Sequence, residues 1–308
     1  MVTRDEDTGT AVEAGPAAET VLADLELTRG LAVQMTAIGT LGFVVAWGVL
    51  SALFQAAIGH APAFQFATGT EWWTGAADLF VLAVLATAFV APHEWLHGIA
   101  IRRYGGEPRY GVGIAHFILP YAYATTDHEF TRDQFVVVLL TPLVVMTFVG
   151  VPVMLLAGWG WLVVPLAANA AGAVADVWMT LVVLGYPAHV RLEDHASGVR
   201  IIGRAGDRPR PVSLATVVWD ALAGAAVAAV GTLLALAVGG PFVLPALGVD
   251  SLTVGTPGTI THLFAFTNTP TEISLSVGPG VLVIGAALGL GYALVRSYRR
   301  TSTASPGA

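Results

Sequence analysis

Residues 81–103 have the sequence VLAVLATAFVAPHEWLHGIAIRR. Most of this run is apolar, and a helix of about 20 such residues crosses the roughly 30 Å hydrocarbon core of a bilayer. The run ends in two arginines, which are typical of the cytoplasmic end of a span. Three ionisable side chains lie inside it, in the sequence His-Glu-Trp-Leu-His at positions 93–97. Such groups are costly within a membrane, so their presence indicates a functional site.

The rest of the chain has the same apolar character. Of its 308 residues, 55% are hydrophobic and 11% are charged, whereas soluble domains carry about 25% charged residues. We therefore predict an all-α polytopic membrane protein in the cell membrane, with the lipid bilayer as its surroundings and no nucleic-acid partner; a homo-oligomer is compatible with the sequence. Six stretches are long enough to span, at residues 31–58, 77–101, 134–157, 160–186, 213–240 and 275–296.

The basic residues indicate an orientation. All 14 of them are Arg, and they lie at the two termini and in the segments after the second and fourth spans. The other three intervening segments have none, which predicts that both termini are cytoplasmic. The use of Arg alone, together with the acidic tail before the first span, is compatible with a salt-adapted prokaryote.

One segment differs from the spanning helices. Residues 105–126, between the second and third spans, contain several Gly and two Pro, and they are too short and too broken for a spanning helix. A short extended hairpin, or a re-entrant segment that dips toward the membrane, is the predicted structure there.

The histidine motif has the spacing of a zinc site. His93 and His97 are four residues apart, so on a helix they share one face and can bind one tetrahedral zinc ion. Glu94 lies beside them and can take a proton from an attacking water. Because the chain has no Cys, a third ligand must be His, Asp or Glu. We expect one Zn²⁺ per chain.

Asp176 is the leading candidate for this third ligand. It lies inside the fourth span, about 15 Å from the predicted cytoplasmic end, while His93 lies about 13 Å from the cytoplasmic end of its own span. The two side chains are thus expected at nearly the same depth. Asp220, which also lies within a span, and His116, in the broken segment, remain alternatives.

Asn169 lies seven residues before Asp176 and shares its helical face with Gly172 between them. It has two interpretations. It could hold a substrate backbone near the metal, or it could form an interhelical hydrogen bond from a buried amide.

Four motifs together resemble the zincin peptidases of unknown function that are distant relatives of the site-2 proteases. They are His93-Glu94-Trp95-Leu96-His97, Tyr121-Ala122-Tyr123, Thr141-Pro142-Leu143 and the run from Asn169 to Asp176. The resemblance covers residues 80–190. It implies that His93, His97 and Asp176 bind zinc, that Glu94 is catalytic, and that an extended segment beside the zinc receives an unwound substrate. The residues expected to contact that substrate are Asn169, His116, Tyr121 and Tyr123.

The resemblance implies an intramembrane zinc metalloprotease that hydrolyses peptide bonds of membrane-anchored protein substrates near the cytoplasmic face. Residues 29–300 are then one membrane-embedded metalloprotease-like domain with its core at 80–190, flanked by an acidic disordered cytoplasmic tail at 1–28 and a disordered tail at 301–308. The alternatives are a non-catalytic membrane metal-binding protein or transporter, and a membrane iron oxygenase, since His93 and His97 also form an H-x-x-x-H pair.

Overall fold

The structure, a computed structural model, describes residues 19–62, 72–115, 119–195, 198–208, 214–269 and 272–303. This part of the chain is mostly helical, and six of its helical segments are long and apolar enough to cross a membrane. Their number confirms the prediction, and their bounds lie within a few residues of the predicted ones. The segments are Arg29–Ile58, Leu79–Arg103, Arg132–Ala157, Gly160–Val183, Leu214–Ala246 and Gly280–Ser302.

Several of these segments are composed of more than one helix. A 3₁₀ turn at Gly160–Leu162 precedes α5, and a π-helical turn at Ala235–Gly239 joins α7 to α8. The α-helices of the described residues are α1 (Arg29–Ile58), α2 (Trp72–Thr87), α3 (Val90–Arg103), α4 (Arg132–Ala157), α5 (Val163–Gly172), α6 (Val174–Val183), α7 (Leu214–Leu234), α8 (Gly240–Ala246) and α9 (Gly280–Thr303).

The structure also contains β-sheets, so the predicted all-α class is right only for the spans. All strand pairs are antiparallel, in a four-stranded sheet of order β1-β6-β5-β4, the hairpin β2-β3 and a three-stranded sheet β7-β8-β9. The hairpin agrees with the extended segment predicted after the second span. The strands are β1 (Glu19–Glu26), β2 (Arg109–Ala115), β3 (Leu119–Thr125), β4 (Glu129–Thr131), β5 (Arg191–His195), β6 (Gly198–Arg204), β7 (Ser251–Val254), β8 (Phe264–Asn268) and β9 (Ile273–Val277).

The four-stranded sheet corrects the prediction for the N-terminal tail. Residues 1–28 were expected to be disordered, but β1 pairs with β6 along its whole length. Its apolar residues Leu22, Ala23 and Leu25 pack against a buried core, while Asp24 pairs with Arg200 of β6 across the exposed face. The alternation of apolar and charged residues over this strand satisfies both faces of the sheet, which composition alone did not reveal. Residues 1–18 lie outside the described residues.

The C-terminal tail also begins later than predicted, because α9 continues to Thr303. Residues 304–308 lie outside the described part of the chain.

The sheet closes one end of the helix bundle. Its core side chains and the ends of α3, α4 and α6 form one buried apolar cluster, and the burial of this cluster fixes how the three helices meet. Its fully buried members are Ala100, Ile101, Phe130, Phe135, Val138, Val183, Tyr186, Val190, Leu192, Val199 and Ile201.

The helices α7 and α9 pack closely because glycines line their contact. A Cβ added at Gly289 of α9 would lie 2.2 Å from the carbonyl oxygen of Ala221 in α7, and one at Gly224 would lie 2.9 Å from the Cα of Gly289. Only a residue without a side chain allows the two backbones to approach this closely. The helix α7 of this pair also contacts α1 and α6, and α6 carries Asp176.

Candidate metal centre

The helix α3 presents both motif histidines on one buried face. His93 and His97 are 5% and 7% exposed, whereas Trp95 and Ile99 on the other side of the helix are 57% and 40% exposed. The two imidazole rings lie edge to face with their centroids 4.9 Å apart. This is the arrangement that the i, i+4 spacing predicts.

Each imidazole is oriented by a hydrogen bond from its Nδ1 to a different helix. His93 Nδ1 lies 2.9 Å from Asn169 Oδ1 of α5, and His97 Nδ1 lies 2.9 Å from the carbonyl oxygen of Val138 in α4. A carbonyl oxygen can only accept, so each Nδ1 donates, and a neutral imidazole in this tautomer has a free lone pair on Nε2. Zinc-binding histidines are commonly held by such partners, which fix the tautomer and the ring orientation.

Both Nε2 atoms point at one carboxylate of α6. Asp176 Oδ2 lies 3.3 Å from His93 Nε2, and Asp176 Oδ1 lies 3.6 Å from His97 Nε2. In a tetrahedral zinc site with bonds of about 2.0–2.1 Å, neighbouring ligand atoms are about 3.3–3.4 Å apart. The two separations, which involve the two different oxygens of Asp176, are close to this spacing, so His93, His97 and Asp176 could hold one metal ion.

Within the described part of the chain, these three residues form the group of His, Asp and Glu side chains whose candidate ligand atoms lie within 4.8 Å of one another. Asp176 comes from a different helix than the histidines, so the group exists only in the folded chain.

A helix break places Asp176 favourably. The fourth span is not the continuous helix that was predicted, because α5 ends at Gly172 and α6 begins at Val174 after Ala173. Gly172 is a weak helix former, which favours a break at this point. Asp176 consequently lies in the first turn of α6, where the positive end of the helix dipole stabilises a carboxylate.

Glu94 lies beside this group. Its carboxylate interacts electrostatically with His93, His97 and Asp176, and the backbone N–H of Ala124 in β3 donates a hydrogen bond to it. The hairpin thus contacts Glu94, the carboxylate of the motif, which is suited to proton transfer.

Two glycines allow the neighbouring elements to approach α3. A Cβ at Gly98, directly after His97, would lie 1.8 Å from the hydroxyl oxygen of Tyr110 in β2. A Cβ at Gly172 would lie 2.8 Å from the ring of Phe89, and this ring packs edge to face on His93. Both glycines therefore make room for aromatic rings that fix the position of the motif helix.

The structure separates the predicted alternatives for a third ligand. Asp220 is buried in α7, with Oδ2 2.7 Å from Arg300 Nη1 and Oδ1 4.0 Å from Arg296 Nε. It is an ion-pair partner of α9 and does not join the histidines. His116 lies outside the described residues.

The other predicted substrate contacts have different outcomes. Asn169 is fully buried and makes the interhelical hydrogen bond that was one of its two interpretations. Its Nδ2 has no hydrogen-bond partner among the described residues. Tyr121 and Tyr123 lie in β3, the strand that contacts Glu94, and the Tyr123 ring lies over Gly111 of β2. Their contact with a substrate stays a prediction.

Sequence reasoning missed Val138 as a part of the centre. Only its backbone carbonyl contacts His97, and since every residue has a carbonyl, the identity of this side chain gave no signal. The residue belongs to the apolar cluster below the site, and its 5% exposure is that of an ordinary core valine.

The donor set and its charges suit a divalent cation. Two neutral imidazoles and a carboxylate are ligands that zinc accepts. Glu94 and Asp176 place two carboxylates within apolar spans, where uncompensated charge is costly. A divalent ion would balance both carboxylates. The arrangement is therefore chemically suited to metal-assisted hydrolysis.

Comparison with known proteins agrees with this geometry. Residues 86–191 match the model of a family described as "Putative zincin peptidase". The match begins in α2 and ends at the first residue of β5, so it contains every residue of the centre described above, while α1 and α7–α9 lie outside it. No curated protein and no solved structure matches the chain. The predicted resemblance to zincin peptidases is thus confirmed, and the relation to site-2 proteases stays a prediction.

Proposed function

We propose that this chain, whose family match at residues 86–191 contains His93, His97 and Asp176, is a zinc endopeptidase that cleaves membrane-anchored proteins near the cytoplasmic face. The observation that carries the proposal is the convergence of two Nε2 atoms and one carboxylate, at 3.3 and 3.6 Å, from separate spans. Zinc in such a centre supplies Lewis-acid activation of water and of the scissile carbonyl.

Glu94 is the proton carrier of the proposed reaction. Its carboxylate takes a proton from the attacking water and later delivers that proton to the leaving amine, as a general base and then a general acid. The hydrogen bond from Ala124 and the attraction to the two histidines hold the carboxylate beside the centre. The reaction needs no covalent intermediate on the protein.

Asn169 has two tasks in this proposal. Its Oδ1 orients His93, and its buried Nδ2 is an unused donor next to the same ring. A substrate carbonyl that enters the centre can accept a hydrogen bond from this Nδ2, which would then stabilise negative charge on the carbonyl oxygen.

The hairpin provides a means of holding the substrate. Backbone N–H groups alternate between the two edges of a strand, and Ala124 directs its N–H away from β2 and toward Glu94. The N–H of Ala122 faces the same edge. Within the described residues β3 pairs only with β2, so an unwound substrate segment can add to this edge as a third strand.

The decisive test is Glu94→Gln, which keeps the size of the side chain and removes its basicity. The protein would be reconstituted in vesicles with single-span reporter proteins, and cleavage and metal content would be measured together. We expect proteolysis to be lost, because proton transfer contributes at least about 10²-fold, while zinc stays near one ion per chain. Glu107→Gln, at an exposed position in the loop after α3, is the matched control and should cleave normally.

Retained cleavage by Glu94→Gln would exclude Glu94 as the base. A transporter predicts another pattern, namely metal flux into the vesicles that Glu94→Gln does not reduce, with no cleavage by the unchanged protein. That pattern would replace the peptidase proposal.

A further inference from the structure

The helix α4 contains two prolines, Pro142 and Pro152. Proline has no backbone N–H, so it cannot donate to the carbonyl four residues earlier. Pro142 therefore leaves the carbonyl of Val138 without its i+4 partner, and Pro152 does the same for Phe148. Each released carbonyl is a free acceptor in the middle of an apolar span, where an unsatisfied polar group is costly.

The Val138 carbonyl is used by the metal centre. It accepts the hydrogen bond from His97 Nδ1 at 2.9 Å. The Val138 side chain is 5% exposed and belongs to the apolar cluster that joins α3, α4 and α6, so the carbonyl cannot easily turn elsewhere. The hydrogen bond that α4 lacks is thus replaced by one to α3.

We propose that Pro142 is a positioning residue of the metal centre. Because Pro142 has no N–H, the Val138 carbonyl accepts its hydrogen bond from His97, and this bond fixes the tautomer and the direction of the His97 imidazole. Pro142 itself is buried in α4 and makes this contribution only through the backbone. The inference deepens the proposed function and rests on it, since it takes His97 to be a zinc ligand.

If Pro142 acted only by kinking the helix, replacement of either proline in α4 would affect zinc affinity in a similar way. Pro152 lies in the same helix and releases the Phe148 carbonyl by the same rule, but the Phe148 side chain is 76% exposed and lies ten residues along the helix from Val138. Comparison of the two prolines therefore separates the effect of losing a kink from the effect of losing the Val138 carbonyl as an acceptor for His97.

The test replaces Pro142 with Ala in the full chain, purified in detergent. The new N–H can donate to the Val138 carbonyl and compete with His97. We expect zinc affinity, measured by competition with a chromophoric chelator, to fall about 10- to 100-fold, as for other losses of a ligand's supporting hydrogen bond. The melting temperature of the metal-free protein should stay the same or rise, because Ala is a better helix former than Pro.

Pro152→Ala is the matched control and should change zinc affinity by less than about twofold. Pro142→Ser restores the same N–H with a different side chain and must weaken zinc binding as Pro142→Ala does, which gives a second variant if one of them folds poorly. The absorption spectrum of bound Co²⁺ gives an independent readout, because a reoriented His97 changes the coordination geometry.

Two failures can be distinguished. If the unchanged protein does not bind zinc, the proposed function is wrong and the inference falls with it. If the unchanged protein binds zinc tightly and both Pro142 variants bind it equally tightly, the inference alone is overturned.

Discussion

At the scale of single residues, the centre depends on the atoms that orient the ligands as much as on the ligands themselves. Asn169 Oδ1 and the Val138 carbonyl each hold one Nδ1, so the two Nε2 atoms are left to face Asp176 without rearrangement. This preorganisation reduces the cost of binding an ion. It also explains why a fully buried amide is placed within a helix that has no other polar side chain.

Replacement of Asn169 by Ala should lower zinc affinity about 10- to 100-fold, because His93 loses its acceptor and can rotate or change tautomer. Chelator competition on the purified protein measures this directly. Thr180→Ala is a suitable control, since Thr180 is buried one turn after Asp176 and its Oγ1 has no hydrogen-bond partner among the described residues. Equal affinities for both variants would show that the Asn169 hydrogen bond contributes nothing to binding.

At the scale of elements, the β2-β3 hairpin contacts the motif helix beside the metal centre, and in the proposed function it receives the substrate. Tyr110 packs on Gly98, and its cross-strand partner Ala124 contacts Glu94. The end of the hairpin that these two residues form is therefore held against α3, where a strand edge can align a peptide bond with the centre.

A proline at Ala122 should reduce cleavage of single-span reporters by at least about tenfold, because it removes an N–H from the strand edge proposed to receive substrate. Zinc content should stay unchanged, since Ala122 is not one of the three candidate ligands. Ala122→Val keeps the N–H and favours a strand, so it should cleave at the normal rate. Unchanged turnover with Ala122→Pro would exclude strand addition at this edge.

At the scale of the whole molecule, the two sides of the predicted membrane domain carry different structures. The arginine-containing side has the four-stranded sheet with cross-strand ion pairs, such as Arg200 with Glu193 and Asp24. The opposite side has β7-β8-β9, in a segment that contains no Arg. This asymmetry is what the positive-inside rule expects of a chain with both termini in the cytoplasm.

The orientation can be measured by cysteine labelling, because the natural chain has no Cys. We expect Thr256→Cys, in the exposed loop after β7, to react with a membrane-impermeant maleimide in intact cells. Glu107→Cys, in the exposed loop after α3, should react only after the membrane is permeabilised. The reverse pattern would show that the metal centre lies toward the external face and that the proposed site of cleavage is wrong.

Sequence alone determined the features that depend on one segment at a time. The length of each apolar run sets the spans, and the spacing of His93 and His97 sets their common face, because both follow from the rise and twist of a helix. The strands of the two larger sheets, β1 among them, were missed, since short strands are stabilised by their partners and their local pattern is weak.

The tertiary structure decided what depends on two segments at once. Asp176 and Asp220 both lie in spans and have the same chemistry, and only helix packing brings one to His93 and the other to Arg300. The Val138 carbonyl is an acceptor that every residue possesses, so no residue type could mark it. The motif determines where two candidate metal ligands lie, whereas the third candidate ligand and the orientation of the imidazoles depend on distances between helices, which the sequence does not state.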